Sequence, residues 1–98
     1  MKFIVLFEDN PKSDPMIRAI HMQDHLDFLE RHRASVEAAG PLKNESDEGC
    51  GGLWVVDAQS TAEVQNLVES DPFWPTGLRK SVSIYAWQQV FAIGVRQI

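Results

Sequence analysis

The first strand-like segment of this chain is apolar on both of its faces. In the run KFIVLFE, the alternating apolar sets are Phe3, Val5 and Phe7 on one face and Ile4 and Leu6 on the other. A strand with one face in water would instead alternate apolar and polar side chains. The segment is therefore predicted to be a buried strand, and the fold has to cover both of its faces.

The rest of the chain predicts the element order β-α-β-β-α-β. Gly40 and Pro41 are expected to end the first helix, because glycine tolerates the left-handed cap and proline cannot continue the helix. Ser60 begins the second helix, and Glu63 follows three residues later as in a capping box. The expected elements are strands at 2–8, 41–46, 52–58 and 81–95, helices at 16–39 and 60–70, and a turn at 47–52. This order predicts an α+β, ferredoxin-like fold, with a four-stranded antiparallel sheet and two helices on one face.

The later strands repeat the two-sided apolar pattern. Leu53 and Val55 oppose Trp54 and Val56, and Val82, Ile84 and Ala86 oppose Tyr85, Trp87 and Phe91. Two helices cover only one face of such a sheet. Exposure of the other face would forfeit roughly 1.5–3 kcal/mol for each large side chain and leave an unusually large apolar patch. The pattern predicts a homodimer whose sheets pack face to face, with the tail FAIGVRQI reaching across to the partner.

Length and charge narrow the class of protein. The chain has 98 residues, which predicts a single domain over 1–98. Its net charge is −5 and its basic residues are scattered, which disfavours nucleic acid or an anionic membrane as a partner. The opening apolar run is too short for a signal peptide or a membrane span. The single cysteine, Cys50, excludes an internal disulfide, so a cytoplasmic location is predicted.

The three histidines all lie on the predicted first helix. At 100° per residue, His21, His25 and His32 share its apolar face, where a polar ring needs a partner. A lone inward-facing histidine is usually structural, and this interpretation is given to His32. His21 and His25 lie nearer the helix start, where a pocket could open. Their spacing would suit two metal ligands, but no third ligand is evident, so no metal is predicted.

Asp71 stands where the second helix has to end. Pro72 disfavours the helical conformation for the residue before it. A carboxylate is also unfavourable near the negative end of a helix dipole, so Asp71 is expected to have a specific partner. The simpler interpretation is a helix-stop turn with Phe73 and Trp74 in the core. From spacing alone, His25 and Asp71 are two groups without an evident partner.

Several segments together resemble the YCII-related domain family. They are HLDFLERH followed by AAGPL, GGLWVVDA, and ESDPFWPTGLRKSVSIYAWQQVF. The resemblance implies the dimeric α/β-barrel superfamily. It also implies a catalytic pair formed by a first-helix histidine and the aspartate of DPF, which correspond here to His25 and Asp71. His25 with Leu26 fits the family pattern better than His21 with Met22.

A histidine–carboxylate pair is suited to proton transfer near neutral pH. No nucleotide fingerprint and no activated nucleophile appear, so no cofactor is predicted. The favoured function is a cofactor-free lyase or isomerase acting on a small cyclic or enol-like molecule. The predicted substrate-binding residues are Arg18, His21, Phe73 and Trp74. Three alternatives stay open: a small-molecule binding module, a structural dimeric module, and the cofactor-free monooxygenase activity that relatives in the superfamily suggest.

Overall fold

The computed structural model describes all 98 residues. Its elements are β1 (Lys2–Asp9), α1 (Ile17–Arg31), β2 (Val36–Lys43), β3 (Gly49–Asp57), α2 (Thr61–Ser70), a 3-10 turn (Trp74–Thr76), β4 (Arg79–Trp87), β5 (Phe91–Ala92) and β6 (Val95–Arg96). β1 to β4 form one antiparallel sheet in the order β2-β3-β1-β4, and β5 pairs with β6. The predicted α+β, ferredoxin-like fold is confirmed. Neither helix is long and apolar enough to cross a membrane.

The second helix begins as its sequence predicts. The Ser60 hydroxyl accepts a hydrogen bond from the Glu63 backbone N–H at 3.2 Å, and the Glu63 carboxylate accepts one from the Gln59 N–H at 2.9 Å. These bonds satisfy N–H groups that have no partner within the first turn of the helix. The helix then buries its apolar side against the sheet.

The core lies between the two helices and one face of the sheet. β1 contributes Phe3, Val5 and Phe7, and β3 contributes Trp54 and Val56. The main buried cluster consists of Phe3, Val5, Phe7, Phe28, Val36, Trp54, Val56, Ala58, Val64, Leu67 and Val68. Burial of these side chains is the main favourable term for the fold.

The first helix is shorter than predicted. It ends at Arg31 rather than at Ala39, and the backbone N–H of Val36 bonds to the His32 carbonyl at 2.8 Å in a tight turn. The following residues pair with β3, whose outer edge would otherwise leave its N–H and C=O groups without partners. Val36 is buried, and it lies in β2 and not in a helix. Pro41 is tolerated there because β2 is an edge strand.

The third strand begins earlier than predicted, at Gly49, within the residues expected to form a turn. Gly51 allows this because it crosses β1 closely. A Cβ atom at this position would lie 1.9 Å from the carbonyl oxygen of Phe7. The missing side chain therefore permits close backbone pairing of β3 with β1.

The last strand ends earlier than predicted, at Trp87. The chain then forms the β5–β6 hairpin, which turns at Ile93 and Gly94. Both of these residues have positive φ, 52° and 72°, as a two-residue primed turn requires. This hairpin exposes its apolar side chains: Val90, Phe91, Ile93, Val95 and Ile98.

The second face of the sheet is left uncovered by the helices. Ile4 pairs in register with Val55 on one side and Tyr85 on the other, so all three share this face. Tyr85 is 55% exposed and Trp87 39% exposed. The two-sided apolar pattern of the sequence therefore corresponds to an apolar sheet face in water in the single chain.

Candidate active site

Asp71 is positioned by the end of α2. Its backbone is extended (φ −66°, ψ 133°), as the following Pro72 favours. The carboxylate turns back, and its Oδ1 accepts a hydrogen bond from the Phe73 N–H at 3.2 Å. The side chain is fully buried. A buried carboxylate needs charged or hydrogen-bonding partners, and two side chains supply them.

His25 is the first partner of Asp71. Its Nδ1 lies 2.8 Å from Asp71 Oδ1, although the two residues are 46 positions apart in sequence. The ring packs 4.6 Å from the Phe73 ring centroid and 6.3 Å from that of Trp54. Nε2 makes no hydrogen bond within the chain and is not sealed from solvent. The carboxylate thus fixes one ring nitrogen, and the other has no partner within the chain.

Arg79 is the second partner of Asp71. Its Nη2 donates a hydrogen bond to Asp71 Oδ2 at 2.7 Å, and its guanidinium carbon lies 3.8 Å from the Phe7 ring centroid. The side chain is only 9% exposed, and Nη1 is buried without a hydrogen-bond partner. Arg79 was not among the predicted site residues. In sequence it is one half of the basic pair with Lys80, and nothing local marks it as buried.

These contacts set the charge state of Asp71. Burial by itself raises the pKa of its carboxyl group. The hydrogen bond with His25, the positive charge of Arg79 and the Phe73 N–H outweigh that effect and hold the pKa below its usual range. Burial lowers the pKa of Arg79, and Asp71 opposes this shift. Since a guanidinium group keeps its proton at neutral pH, the two side chains form a buried ion pair.

A cavity of about 300 Å³ opens between α1 and the sheet, next to this cluster. Its apolar lining includes Phe7, Met22, Leu26, Leu29, Trp54 and Phe73. His25 and Arg79 reach its wall, whereas Asp71 lies behind them and does not line it. The site therefore combines an apolar chamber with an imidazole whose orientation is fixed from behind.

Arg18 lies at the same cavity and is held by Asp9. Its Nη1 and Nη2 donate to the two Asp9 carboxylate oxygens at 2.8 and 3.3 Å, and Nη2 lies 3.5 Å from the Gly51 carbonyl oxygen. Its side chain is 35% exposed. The bidentate contact fixes the guanidinium group and still leaves N–H donors of Arg18 for a ligand.

Not every predicted site residue reaches the cavity. His21 packs edge-on against Phe73, 6.4 Å between centroids, but does not line the chamber. Trp74 is 40% exposed and lines a separate shallow depression beside Lys80. Trp74, which was predicted to wall the pocket, therefore does not line the chamber, whereas Phe73 does.

The other predicted roles on α1 can also be located. His32 packs against Phe28 in a tilted arrangement, with ring centroids 4.6 Å apart, and does not line the cavity. No group of three or more His, Cys, Asp or Glu side chains is arranged to hold a metal ion. His21 and His25 therefore do not form part of a larger ligand set.

Comparison with known proteins gives one family and several similar structures. The 5-chloro-2-hydroxyhydroquinone dehydrochlorinase TftG from Burkholderia phenoliruptrix AC1100, in complex with 2,5-dihydroxybenzoquinone, matches with a TM-score of 0.74 and 26% identity, over 90% of this chain and 94% of that chain. Rv0793 from Mycobacterium tuberculosis matches with a TM-score of 0.53 and 13% identity, over 90% of this chain and 94% of that chain, and supports the fold alone. No curated protein matches the chain.

The family assignment comes from the sequence. The model of the YCII-related domain matches residues 1–88, which is most of the chain and includes His25, Asp71 and Arg79. This match confirms the resemblance carried by the segments from HLDFLERH to the final strand. The chain belongs to the YCII-related domain family.

Proposed function

We propose that this protein is a cofactor-free lyase in which His25, oriented by Asp71, moves protons on a small hydroxylated ring compound. One observation carries the proposal. The Nδ1 of His25 is bound to a buried carboxylate at 2.8 Å, while its Nε2 is free beside an apolar cavity. An imidazole held in this way can accept a proton from a ligand and return it to another atom of the same ligand.

The charge of Asp71 supports this role. A carboxylate whose pKa is held low stays ionised at neutral pH. It keeps the proton of the neutral imidazole on Nδ1, so that Nε2 is the basic nitrogen, and it stabilises the imidazolium that forms when Nε2 accepts a proton. Arg79 fixes the other carboxylate oxygen from the opposite side. Asp71 and Arg79 are therefore positioning residues, and His25 is the proposed catalytic residue.

The size and lining of the cavity support a single-ring substrate. A volume of about 300 Å³ is at the lower end of the usual range for small-ligand sites. Phe7, Trp54 and Phe73 give the chamber aromatic walls on which a flat ring can stack. The Burkholderia dehydrochlorinase, which resembles this chain over most of its length, is named for a chlorinated hydroxyhydroquinone. We therefore take hydroxylated rings with a leaving group such as chloride as the substrate class.

The proposed reaction is a loss of HCl from such a ring. One hydroxyl proton is carried by His25 to the carbon that bears the chlorine. The carbon–chlorine bond breaks, chloride leaves with the bonding electron pair, and a second hydroxyl proton is released. The ring becomes a hydroxylated quinone, so the electrons balance without an external oxidant.

The test is an anaerobic incubation with 5-chloro-2-hydroxyhydroquinone. We expect one chloride, measured by ion chromatography, for each quinone, measured by its absorbance, at a rate above that of the buffer alone. Saturable binding without chloride release would contradict catalysis and favour the binding module. A requirement for oxygen, measured with an oxygen electrode, would instead favour the monooxygenase.

We also propose that the protein acts as a homodimer through the open sheet face. This face carries Ile4, Leu6, Leu53, Val55, Tyr85 and Trp87. A self-complementary apolar surface of this kind is the usual basis of a two-fold dimer. The apolar β5–β6 hairpin lies next to β4 in sequence and would extend the contact onto the partner. The dimer would explain why both faces of the strands are apolar.

The dimer predicts a mass of twice 11.1 kDa by sedimentation at micromolar concentration. Tyr85→Glu, which places a charge on the apolar open face, is expected to weaken dimerisation by about thirtyfold or more, or about 2 kcal/mol. Ile20→Glu is the matched control, because Ile20 is similarly exposed, at 65% against 55%, but lies on α1. A monomeric wild-type protein, or equal effects of both substitutions, would contradict this dimer.

A further inference from the structure

We propose that the cavity end formed by Arg18 and Lys43 is an anion subsite, so that the ligand binds as an acidic ring compound in its ionised form. The inference rests on the proposed function, since it names the charge state of the same ring. It concerns the two cavity cations that do not form the ion pair with Asp71. An ionised phenol or enol oxygen is the chemical group that the subsite would hold.

The charge of the cavity wall is the first support. The cavity is lined by three cationic side chains, Arg18, Lys43 and Arg79, against one carboxylate, Asp9. Even with the buried Asp71 counted, cations remain in excess around the chamber. The chain as a whole has a net charge of −5. A positive cleft on an acidic protein attracts an anion selectively, because its low-dielectric walls focus the local field.

The position of the two basic residues is the second support. Lys43 is the register partner of Gly49 across β2 and β3. A Cβ atom on Gly49 would lie 3.8 Å from Arg18 Nη1. The backbone pairing therefore places Lys43 beside Gly49, and both residues line the cavity together with Arg18. The absence of a side chain on Gly49 leaves space next to the guanidinium group of Arg18.

The unused donors are the third support. The guanidinium group of Arg18 donates two of its hydrogen bonds to Asp9, and the side chain remains 35% exposed. Lys43 has one contact, with the 85% exposed Asp47 at 3.3 Å, and such surface pairs contribute little. Arg79, more than nine-tenths buried at the cavity wall, keeps Nη1 without a partner. An anionic ligand would thus meet cations whose donors are not all taken within the protein.

The subsite would also assist the proposed proton transfer. A ring bound as its phenolate or enolate carries electron density onto its carbons, which makes a carbon easier to protonate. Arg18 and Lys43 would hold the charged oxygen, while His25, which also lines the cavity, works on the ring. In this arrangement Arg18 and Lys43 determine which ligand binds, and His25 transfers the proton.

The test compares two rings that differ in charge. 2,5-Dihydroxybenzoquinone, whose hydroxyl groups are ionised at neutral pH, and neutral 2,5-dimethoxybenzoquinone are titrated calorimetrically at pH 7.5. We expect the anion to bind at least about tenfold more tightly, and Arg18→Gln to remove most of that difference, since a hydrogen bond to a charged group contributes this much. Added salt should weaken binding of the anion and leave the neutral ring unchanged.

Arg33→Gln is the matched control, because it makes the same charge change at an exposed residue outside the cavity. Lys43→Gln is the second variant in case Arg18→Gln, which leaves Asp9 without its partner, fails to fold. It should lower affinity for the anion only, by about threefold or more, as expected for a partly exposed charge. Equal affinity for both rings in the wild type, or equal losses for both rings in the variants, would overturn the subsite.

Ligand binding and chloride release are measured separately, so the anion subsite and the lyase activity can fail independently. His25→Ala should keep the preference for the anion and lose chloride release. If the preference is absent while chloride release depends on His25, the subsite is wrong and the lyase stands. If the preference is present without chloride release, the subsite stands on a binding protein.

Discussion

Replacement of Asp71 by alanine is expected to lower the free energy of unfolding by about 3–5 kcal/mol, the usual cost of breaking a buried ion pair from one side. The carboxylate accepts hydrogen bonds from His25, Arg79 and the Phe73 N–H. Its removal leaves the guanidinium group buried without a counter-charge. Urea unfolding at one fixed protein concentration, followed by circular dichroism, measures the change. Fixed concentration matters because a dimer unfolds in a concentration-dependent way.

A second substitution separates the charge from the packing. Asp71→Ala combined with Arg79→Met removes both charges and keeps an apolar side chain against Phe7. We expect the double variant to recover a large part of the lost stability, because replacing a whole buried pair by apolar groups is often neutral. A loss of unfolding free energy below about 1 kcal/mol in Asp71→Ala would show that the pair contributes little. A double variant whose loss equals the sum of the losses in Asp71→Ala and Arg79→Met would show the same.

Replacement of His25 by alanine is expected to lower kcat/KM for the chlorinated hydroxyhydroquinone by about 100- to 10,000-fold, the range that general acid–base catalysis supplies. The change removes the only imidazole that lines the cavity. Most of the loss should fall in kcat, because the aromatic walls and the cavity cations that bind the ring are still present. Initial rates of chloride release across a range of pH measure both parameters.

His32→Ala is the matched control on the same helix. His32 is packed against Phe28, 4.6 Å between centroids, and does not line the cavity. Its replacement should cost some stability and leave kcat and the pH profile unchanged. Equal losses of activity in the two variants, at equal folded fractions, would show that His25 acts through structure and not through proton transfer.

The fold could be predicted because its signals are local. The first, third and last strands each carry apolar residues on both faces, and the Ser60 cap with Glu63 begins α2 where it was expected. The boundary of α1 could not be predicted in the same way. Residues 36–39 continue a helical pattern, and only the free edge of β3 makes them a strand. Pairing across the sheet outweighed local periodicity there.

The candidate site was predicted less completely than the fold. The segment DPF pointed to Asp71, and the family resemblance selected His25 over His21. Arg79 and Lys43 gave no local signal, because a basic residue near a strand end is usually exposed. Trp74 does not line the cavity, whereas its neighbour Phe73 does and packs in a small buried cluster with Ile17 and Leu78.

The sequence by itself determined the element order, the two-sided apolar strands and the aspartate that has to leave the helix at Pro72. These depend on side-chain periodicity and backbone preferences, which act over a few residues. Only the tertiary structure decided that Asp71 meets His25 and Arg79, 46 and eight residues away. Such contacts depend on how both helices lie over the sheet, and the packing of distant side chains, which no local pattern encodes, sets those positions.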